Sequence, residues 1–379
     1  MIYLVILLII LLFTFKYELR TISPSKQSIL FVLFVFIMVA GFRYRVGTDT
    51  LVYMDDYYDR FDIIKDKYLI GWSFFMGICK RLHFSFYIVQ IIVAIIINCG
   101  VIRFLKRYNA NYLFSGILLY YVILYVGWNF EVMRQAVCVS LFLYSLPYLE
   151  QRKYLFYYLI IGVACTIHET ALLLLFVPFF MRVSISKRLL LVFSVFFVVF
   201  AAFAPYIRNA VVGYALILAP FQDKASLYYK NVDLKESNNL LVYFFNIILN
   251  VGIPLFVIWR NCKTKQIHNT VISLSVLSFF TYALSLMLPM MYRINYYFIL
   301  PNLLLFIYLF VDITKKTINK RLAYFSLLLL FLAFKARMYF VVDDYGTPTY
   351  IHYYPYYSIL NEQTVPEREA IDSDLYFIK

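Results

Sequence analysis

Uncharged apolar runs follow one another along almost the whole chain, separated by short charged stretches. They cover 1–15, 27–42, 84–101, 112–128, 135–149, 154–167, 170–181, 189–204, 240–258, 270–288, 294–311 and 322–334. Backbone polar groups in hydrocarbon must be satisfied within their own segment, so each run is expected to be helical and to span a membrane. The pattern predicts an all-α, polytopic integral membrane protein of about 12 transmembrane helices. The stretch 68–79 is apolar but short, and Lys80 and Arg81 follow it, so it reads as a helix lying in the interface. The first run has no positive region ahead of it and no small-residue cleavage site behind it, and reads as a retained span rather than a signal peptide.

Composition closes the soluble alternative: 63% of residues are hydrophobic and 15% charged, against about 25% charged in soluble domains. The formal charge of +14 would suggest nucleic acid only if the excess were gathered on one surface. Instead it sorts by loop. Six short stretches, 16–26, 103–107, 152–153, 182–188, 260–265 and 315–321, hold 18 of the 35 Lys and Arg against Glu18, Glu150 and Asp312, a net of +15. Everything on the other side carries 17 basic and 18 acidic residues, net −1. Short Lys/Arg-rich loops face the cytoplasm. Both termini are therefore expected outside a bacterial plasma membrane, with outer loops 43–82 and 205–239 and an outer C-terminal tail 335–379. Counting 68–79 as a span would move most of the basic loops outside, which favours the interfacial reading. Residues 1–379 read as one membrane domain, with membrane lipid as its surroundings and no nucleic-acid partner. The five cysteines show no CxxC spacing and mostly sit in or beside apolar runs, so neither a disulfide framework nor a metal site nor a cofactor is expected.

Four outer stretches carry candidate chemistry. The first loop opens with Arg43 and Arg45 and continues through Asp49, Tyr53, Asp55 and Asp56. Arginines where a span meets the outside run against the positive-inside rule, and an anionic ligand held by their planar donors explains the placement. The aspartates suit a general base, and a solvated loop anchored to lipid phosphates is the bland alternative. Glu131 and Arg134 stand three apart at a tight turn between spans, where they form a ligand-binding pair or an ion pair that neutralises itself. His168 and Glu169 stand at the turn between 154–167 and 170–181. Fourteen helical residues rise about 21 Å against about 30 Å of hydrocarbon, which recesses the pair, and a histidine there suits proton transfer. HExxH spacing is absent. Tyr292 and Arg293 occupy a fourth turn. Arg293 has no acidic neighbour in sequence and needs a carboxylate, a lipid headgroup or a substrate phosphate in space.

The segments FRYRVGTDTLVYMDDYY, NFEVMRQAVCVSLFLYSL, TIHETALLLL and MMYRINYYFILPNLLL together resemble the EpsG-like branch of the Wzy-type polysaccharide polymerases, over nearly the full chain. The resemblance implies an enzyme that joins undecaprenyl-pyrophosphate-linked oligosaccharide repeats into an exopolysaccharide or capsule, with a chain-length regulator and a flippase of the same pathway as neighbours. It implies Arg134 and Arg293, with Arg45 third, as donors to the departing pyrophosphate. His168 is then the first choice of base, with Glu169, Asp49 and Asp55 as alternatives, and Arg43, Arg45, Glu131, Tyr53 and Tyr292 bind substrate. Two competitors stay open: a GT-C-type transferase using a lipid-phosphate sugar, whose first outer loop is also acidic, and a non-enzymatic flippase of lipid-linked repeats.

Overall fold

The computed structural model describes residues 2–58, 69–217, 240–261, 266–287, 291–315, 318–342 and 348–377. Within them the apolar runs are helical, and extended pairing is limited to isolated bridges such as Arg43 with Ser358. In chain order the α-helices are α1 (Ile2–Thr14), α2 (Lys26–Gly41), α3 (Thr48–Tyr58), α4 (Ile70–Arg81), α5 (Phe86–Tyr108), α6 (Leu113–Tyr120), α7 (Met133–Glu150) and α8 (Tyr154–Ile167). There follow α9 (Val177–Phe180), α10 (Lys187–Ile217), α11 (Leu240–Ile247), α12 (Ile253–Asn261), α13 (Asn269–Met287), α14 (Tyr292–Asn295), α15 (Ile299–Thr314), α16 (Lys320–Ala336) and α17 (Pro366–Phe377).

Among the described residues, five helical stretches are long and apolar enough to cross a membrane by themselves: Ile2–Leu19, Phe86–Tyr108, Phe244–Asn261, Asn269–Leu286 and Lys320–Phe340. Other runs are shorter helices, among them Lys26–Gly41, Tyr154–Ile167 and Ile299–Thr314. Irregular turns account for part of the difference from twelve uniform spans. Tyr121–Tyr125 and Gly127–Glu131 are π-helical, and Glu169–Phe176 is a 3-10 helix, whose rise of about 2 Å per residue carries the chain farther than an α-helix does.

The segments expected outside hold more structure than loops. Within 43–82, Thr48–Tyr58 is helical because Thr50, Tyr53, Met54 and Tyr57 recur at helical spacing and are buried on one side. The helix expected at 68–79 is α4, which buries Trp72 and Met76 and exposes Ile70 and Phe74. The loop expected from residue 205 begins as helix, since α10 continues to Ile217; residues 218–239 lie outside those described. The tail 335–379 contains the end of α16, a 3-10 turn at Arg337–Phe340 and α17.

The chain forms two compact units, Met1–Leu175 with Ile313–Phe377, and Phe176–Asp312. In the first, α2 packs on α5, α5 on α7 and α7 on α8. Helices in lipid gain little from transfer and associate through close approach and polar bonds. A Cβ on Gly41 would stand 2.7 Å from Ile91 Cγ1, and one on Gly100 would collide with Ser140, whose hydroxyl crosses to the Ile96 carbonyl at 2.6 Å. A buried ring of bonds joins α5 to the π turn: Asn98 Nδ2 donates to Asn129 Oδ1 at 2.8 Å, Asn129 Nδ2 to the Tyr120 hydroxyl at 3.0 Å, and that hydroxyl to Asn98 Oδ1 at 3.0 Å.

This unit has two distinct ends. At one, Arg107 pairs with Glu150 at 2.6 Å, Ser115 donates to Glu18, and Arg321 donates to the Leu19 carbonyl at 2.9 Å. At the other, Tyr3 donates to the Tyr353 carbonyl at 3.1 Å, Tyr44 N–H to the Tyr357 carbonyl at 2.8 Å, and the Tyr57 hydroxyl to the Phe84 carbonyl at 2.7 Å. Segments of the basic set share the first end. The 43–58 segment, the turns at 129–135 and 168–170 and the tail share the second.

Candidate functional site

Gly47 sets the start of α3. Its φ of +101° lies in the left-handed region, and a Cβ there would stand 2.8 Å from the Phe130 carbonyl oxygen. That contact seats α3 on the π turn Gly127–Glu131, where Thr50 Oγ1 donates to the same Phe130 oxygen at 3.1 Å. The π turn closes with Val132 N–H donating to the Gly127 carbonyl at 3.0 Å, and α7 begins at once. Arg134 therefore occupies the first turn of an 18-residue helix, where orphan N–H groups add positive potential.

Arg134 is half-buried against α3. Its Nε donates to the Tyr53 hydroxyl at 3.1 Å, and its guanidinium lies 5.7 Å from the Tyr53 ring centre. Tyr53 packs in turn on Trp72 of α4, with ring centres 6.0 Å apart. Helix α4 lies tight on the end of α8, because a Cβ on Gly71 would collide with Thr166. His168 follows two residues later. Cys138 Sγ donates to the Ala164 carbonyl at 3.3 Å between the antiparallel α7 and α8. Four residues toward the rim on each chain stand Arg134 and His168, one turn of about 5.4 Å along. The two are thus level with one another.

His168 is 6% exposed, and its Nδ1 meets both the backbone N–H of Thr170 at 3.3 Å and Thr170 Oγ1 at 2.8 Å. Glu169 is exposed. The expected His–Glu couple is thereby corrected: a 3-10 helix beginning at residue 169 turns adjacent side chains apart, and the ring's partner is Thr170.

The two arginines of the first loop part company. Arg43 is 1% exposed, with Nε donating to the Val46 carbonyl at 3.2 Å, Nη1 to the Ala40 carbonyl and Nη2 to Met133 Sδ at 3.0 Å, and with its guanidinium 4.9 Å from the Phe130 ring centre. Burial brings its pKa down to about 10. Its donors are committed to the chain, so Arg43 is a structural group and not the substrate ligand the sequence suggests. Arg45 donates from Nε and Nη2 to the two carboxylate oxygens of Glu369, at 2.6 and 3.0 Å. That pair raises the Arg45 pKa, and Asp55, exposed on α3, adds attraction. Asp49 is half-buried on the first turn of α3. Glu131 accepts from the Tyr353 hydroxyl and from Thr48 Oγ1, the latter at 3.4 Å. Tyr53 is 6% exposed, which makes it a support for Arg134 before anything else.

Arg293 and Tyr292 belong to the second unit. Arg293 is half-buried in the short helix α14, and Tyr292 is exposed and forms a T-shaped pair with Tyr296, ring centres 5.8 Å apart. Asn295 ties that turn to α13, accepting from Ser278 at 2.8 Å and Thr281 at 3.0 Å.

Sequence reasoning missed Thr48, Trp72, Thr170 and the tail residues Tyr353, Arg368 and Glu369. Arg368, fully buried, donates to the carbonyls of Pro355 and Arg45, each at 2.9 Å. The only available signal was the spacing of aromatic residues in 48–58; nothing local marks the tail.

The first unit is thus a helical membrane assembly with a tyrosine-lined rim at one end, where Arg134 and His168 stand level. The chain belongs to the EpsG family of Wzy-like polysaccharide polymerases, which it matches over residues 26–358. No curated protein and no solved structure matches it. The family match runs from the start of α2 past Arg293 and ends before α17.

Proposed function

We propose that this protein is a membrane glycosyltransferase that polymerises undecaprenyl-pyrophosphate-linked oligosaccharide repeats into an exopolysaccharide or capsule at the outer face of the plasma membrane. In this reading twelve segments cross, both termini are outside, and the Arg134 rim faces outward. The observation that carries it is a family match spanning every segment of the rim from Arg43 to His168. An acceptor sugar hydroxyl attacks the anomeric carbon of the donor glycan, the bond to pyrophosphate breaks, and charge develops on the departing oxygen. Arg134, held by Tyr53 at the start of α7, is placed to stabilise that charge. Arg293 and Tyr292 of the second unit are further candidates for the carrier or the glycan. The acceptor proton passes to a base at the rim, for which His168, Asp49, Asp55 and Glu169 are candidates. A chain-length regulator and a flippase are the expected partners.

Incubating purified protein with lipid-linked repeats and separating the products on a gel tests the reading. A ladder of lengths is the expected result. A single sugar addition would favour a GT-C-type transferase, and unchanged substrate moved across vesicles would favour a flippase.

A further inference from the structure

A cleft of about 440 Å³ opens within the second unit, between α10 and the chain that runs from α11 through the π turn Ile248–Gly252 into α12. Leu190 and Phe197 line it on one side, and Val251, Leu255 and Trp259 on the other. The Ser194 hydroxyl in its wall donates to the Leu190 carbonyl at 2.8 Å, so the wall presents aliphatic and aromatic surface. Gly252 makes the room: a Cβ there would meet only the Ile248 side chain of its own turn, at 3.9 Å. The volume lies in the range that holds a ligand, about 300–1,000 Å³. One end of the cleft is charged. Trp259 is exposed near the close of α12, and Lys187, the half-buried first residue of α10, places its Nζ 5.4 Å from the Trp259 ring centre. The next residue, Arg260, has its charge offset by Asp312, Nε to Oδ2 at 3.7 Å. Among the described residues the Lys187 ammonium has that indole ring as its partner and no carboxylate. The orphan N–H groups of the first turn of α10 add positive potential beside it.

We propose that this cleft binds an anionic phospholipid, with an acyl chain along Phe197, Val251 and Leu255 and the phosphate beside Lys187. Any membrane lipid can lay a chain in the cleft, because hydrocarbon gains little by moving from lipid to protein. The choice among lipids therefore falls to the charge at the end, and one cation near the surface favours an anionic headgroup by about 5-fold. Trp259 suits the level at which headgroups begin. Lys187 and Arg260 belong to the stretches 182–188 and 260–265, part of the basic set expected on the cytoplasmic side. The bound lipid then comes from the leaflet opposite the one in which the polyprenyl-linked substrate reacts, and it is a ligand separate from the carrier. That leaflet rests on the orientation taken for the polymerase; the cleft and the charge at its end do not. A lipid held there completes the packing of α10 on α12, and its occupancy follows the anionic content of the membrane.

The test uses the full chain reconstituted in phosphatidylcholine vesicles, with brominated phosphatidylglycerol or brominated phosphatidylcholine as the probe. Bromine on a chain quenches an indole that it touches. Of the three tryptophans, Trp72 and Trp128 are buried and Trp259 lines the cleft, so Trp259→Phe supplies the background. Quenching is expected at mole fractions about 5-fold lower for phosphatidylglycerol than for phosphatidylcholine. Lys187→Gln should make the two lipids equal. Gly252→Leu, which puts a side chain into the open space, should remove the preference as well. Equal quenching of the parental protein by the two lipids would overturn the proposal. So would a parental preference retained in either variant. Unlabelled undecaprenyl phosphate that relieves the quenching at a lower mole fraction than unlabelled phosphatidylglycerol would assign the cleft to the carrier, and would overturn the proposal too. Lipid binding is read here without any polymer being made, so a parental chain that yields no ladder defeats the polymerase reading alone.

Discussion

Arg45 and Glu369 stand 324 positions apart in the chain and meet through two parallel hydrogen bonds of 2.6 and 3.0 Å. The pair fastens α17 over the 43–58 segment, and its neighbour Arg368 adds a bond to the Arg45 carbonyl at 2.9 Å. About three-quarters of each side chain is screened from solvent. A bidentate, partly desolvated pair of this kind should couple by about 1 kcal/mol. A double-mutant cycle of Arg45→Ala and Glu369→Ala, read by chemical unfolding in detergent, is expected to return that coupling. Simple additivity of the two losses would show that the tail is held by other contacts.

Arg43 predicts a folding defect instead of a catalytic one. Arg43→Met keeps most of the volume but withdraws the donors from the Ala40 and Val46 carbonyls. A loss of about 3 kcal/mol is expected, the scale for leaving buried polar groups unsatisfied. Unfolding of the detergent-solubilised protein measures it, and an unchanged midpoint would contradict the assignment.

Gly47→Ala should act through geometry. The new methyl would meet the Phe130 carbonyl oxygen at 2.8 Å in a backbone conformation that disfavours a side chain. About 2 kcal/mol of stability should be lost. The polymerisation rate should fall too, because the same contact seats Tyr53 beneath Arg134. Parental stability and rate together would show that α3 is not registered by this turn.

Tyr53→Phe separates the hydroxyl from the ring. It keeps the aromatic face 5.7 Å from the Arg134 guanidinium and removes the acceptor at 3.1 Å. Polymerisation should fall about 10-fold, equivalent to about 1.4 kcal/mol in the barrier, with little change in unfolding, and Tyr53→Leu should fall further. A Phe variant at the parental rate would make the hydrogen bond irrelevant to the positioning of Arg134.

The helices were legible because lipid imposes one solution on an apolar run, and that solution needs no knowledge of distant residues. The gathering of charged turns at one end of the first unit was legible for the same reason, as alternate loops of adjacent helices share an end. Helix α3 was obscured by Asp49, Asp55 and Asp56, which make the segment look like a solvated loop although Thr50, Tyr53 and Tyr57 keep a helical period. The contrast between Arg43 and Arg45 had no local cause to read: one is decided by Phe130 and Met133, the other by Glu369. For His168 the sequence identified the residue and mistook its partner, because a 3-10 start places Thr170 rather than Glu169 at the ring. The tail carried no local sign of its packing, since the alternating charges at 366–371 match an exposed helix whereas Arg368 is fully buried.

The account stands on Arg134 as the anchor of the departing anion, and the most direct measurement is the rate of ladder formation by Arg134→Ala and Arg134→Lys proteins that insert and unfold like the parent. The Ala variant should lose at least about 100-fold, and the Lys variant, which keeps the charge without the planar fork, should recover only part of it. Parental rates in the Ala variant would contradict the account.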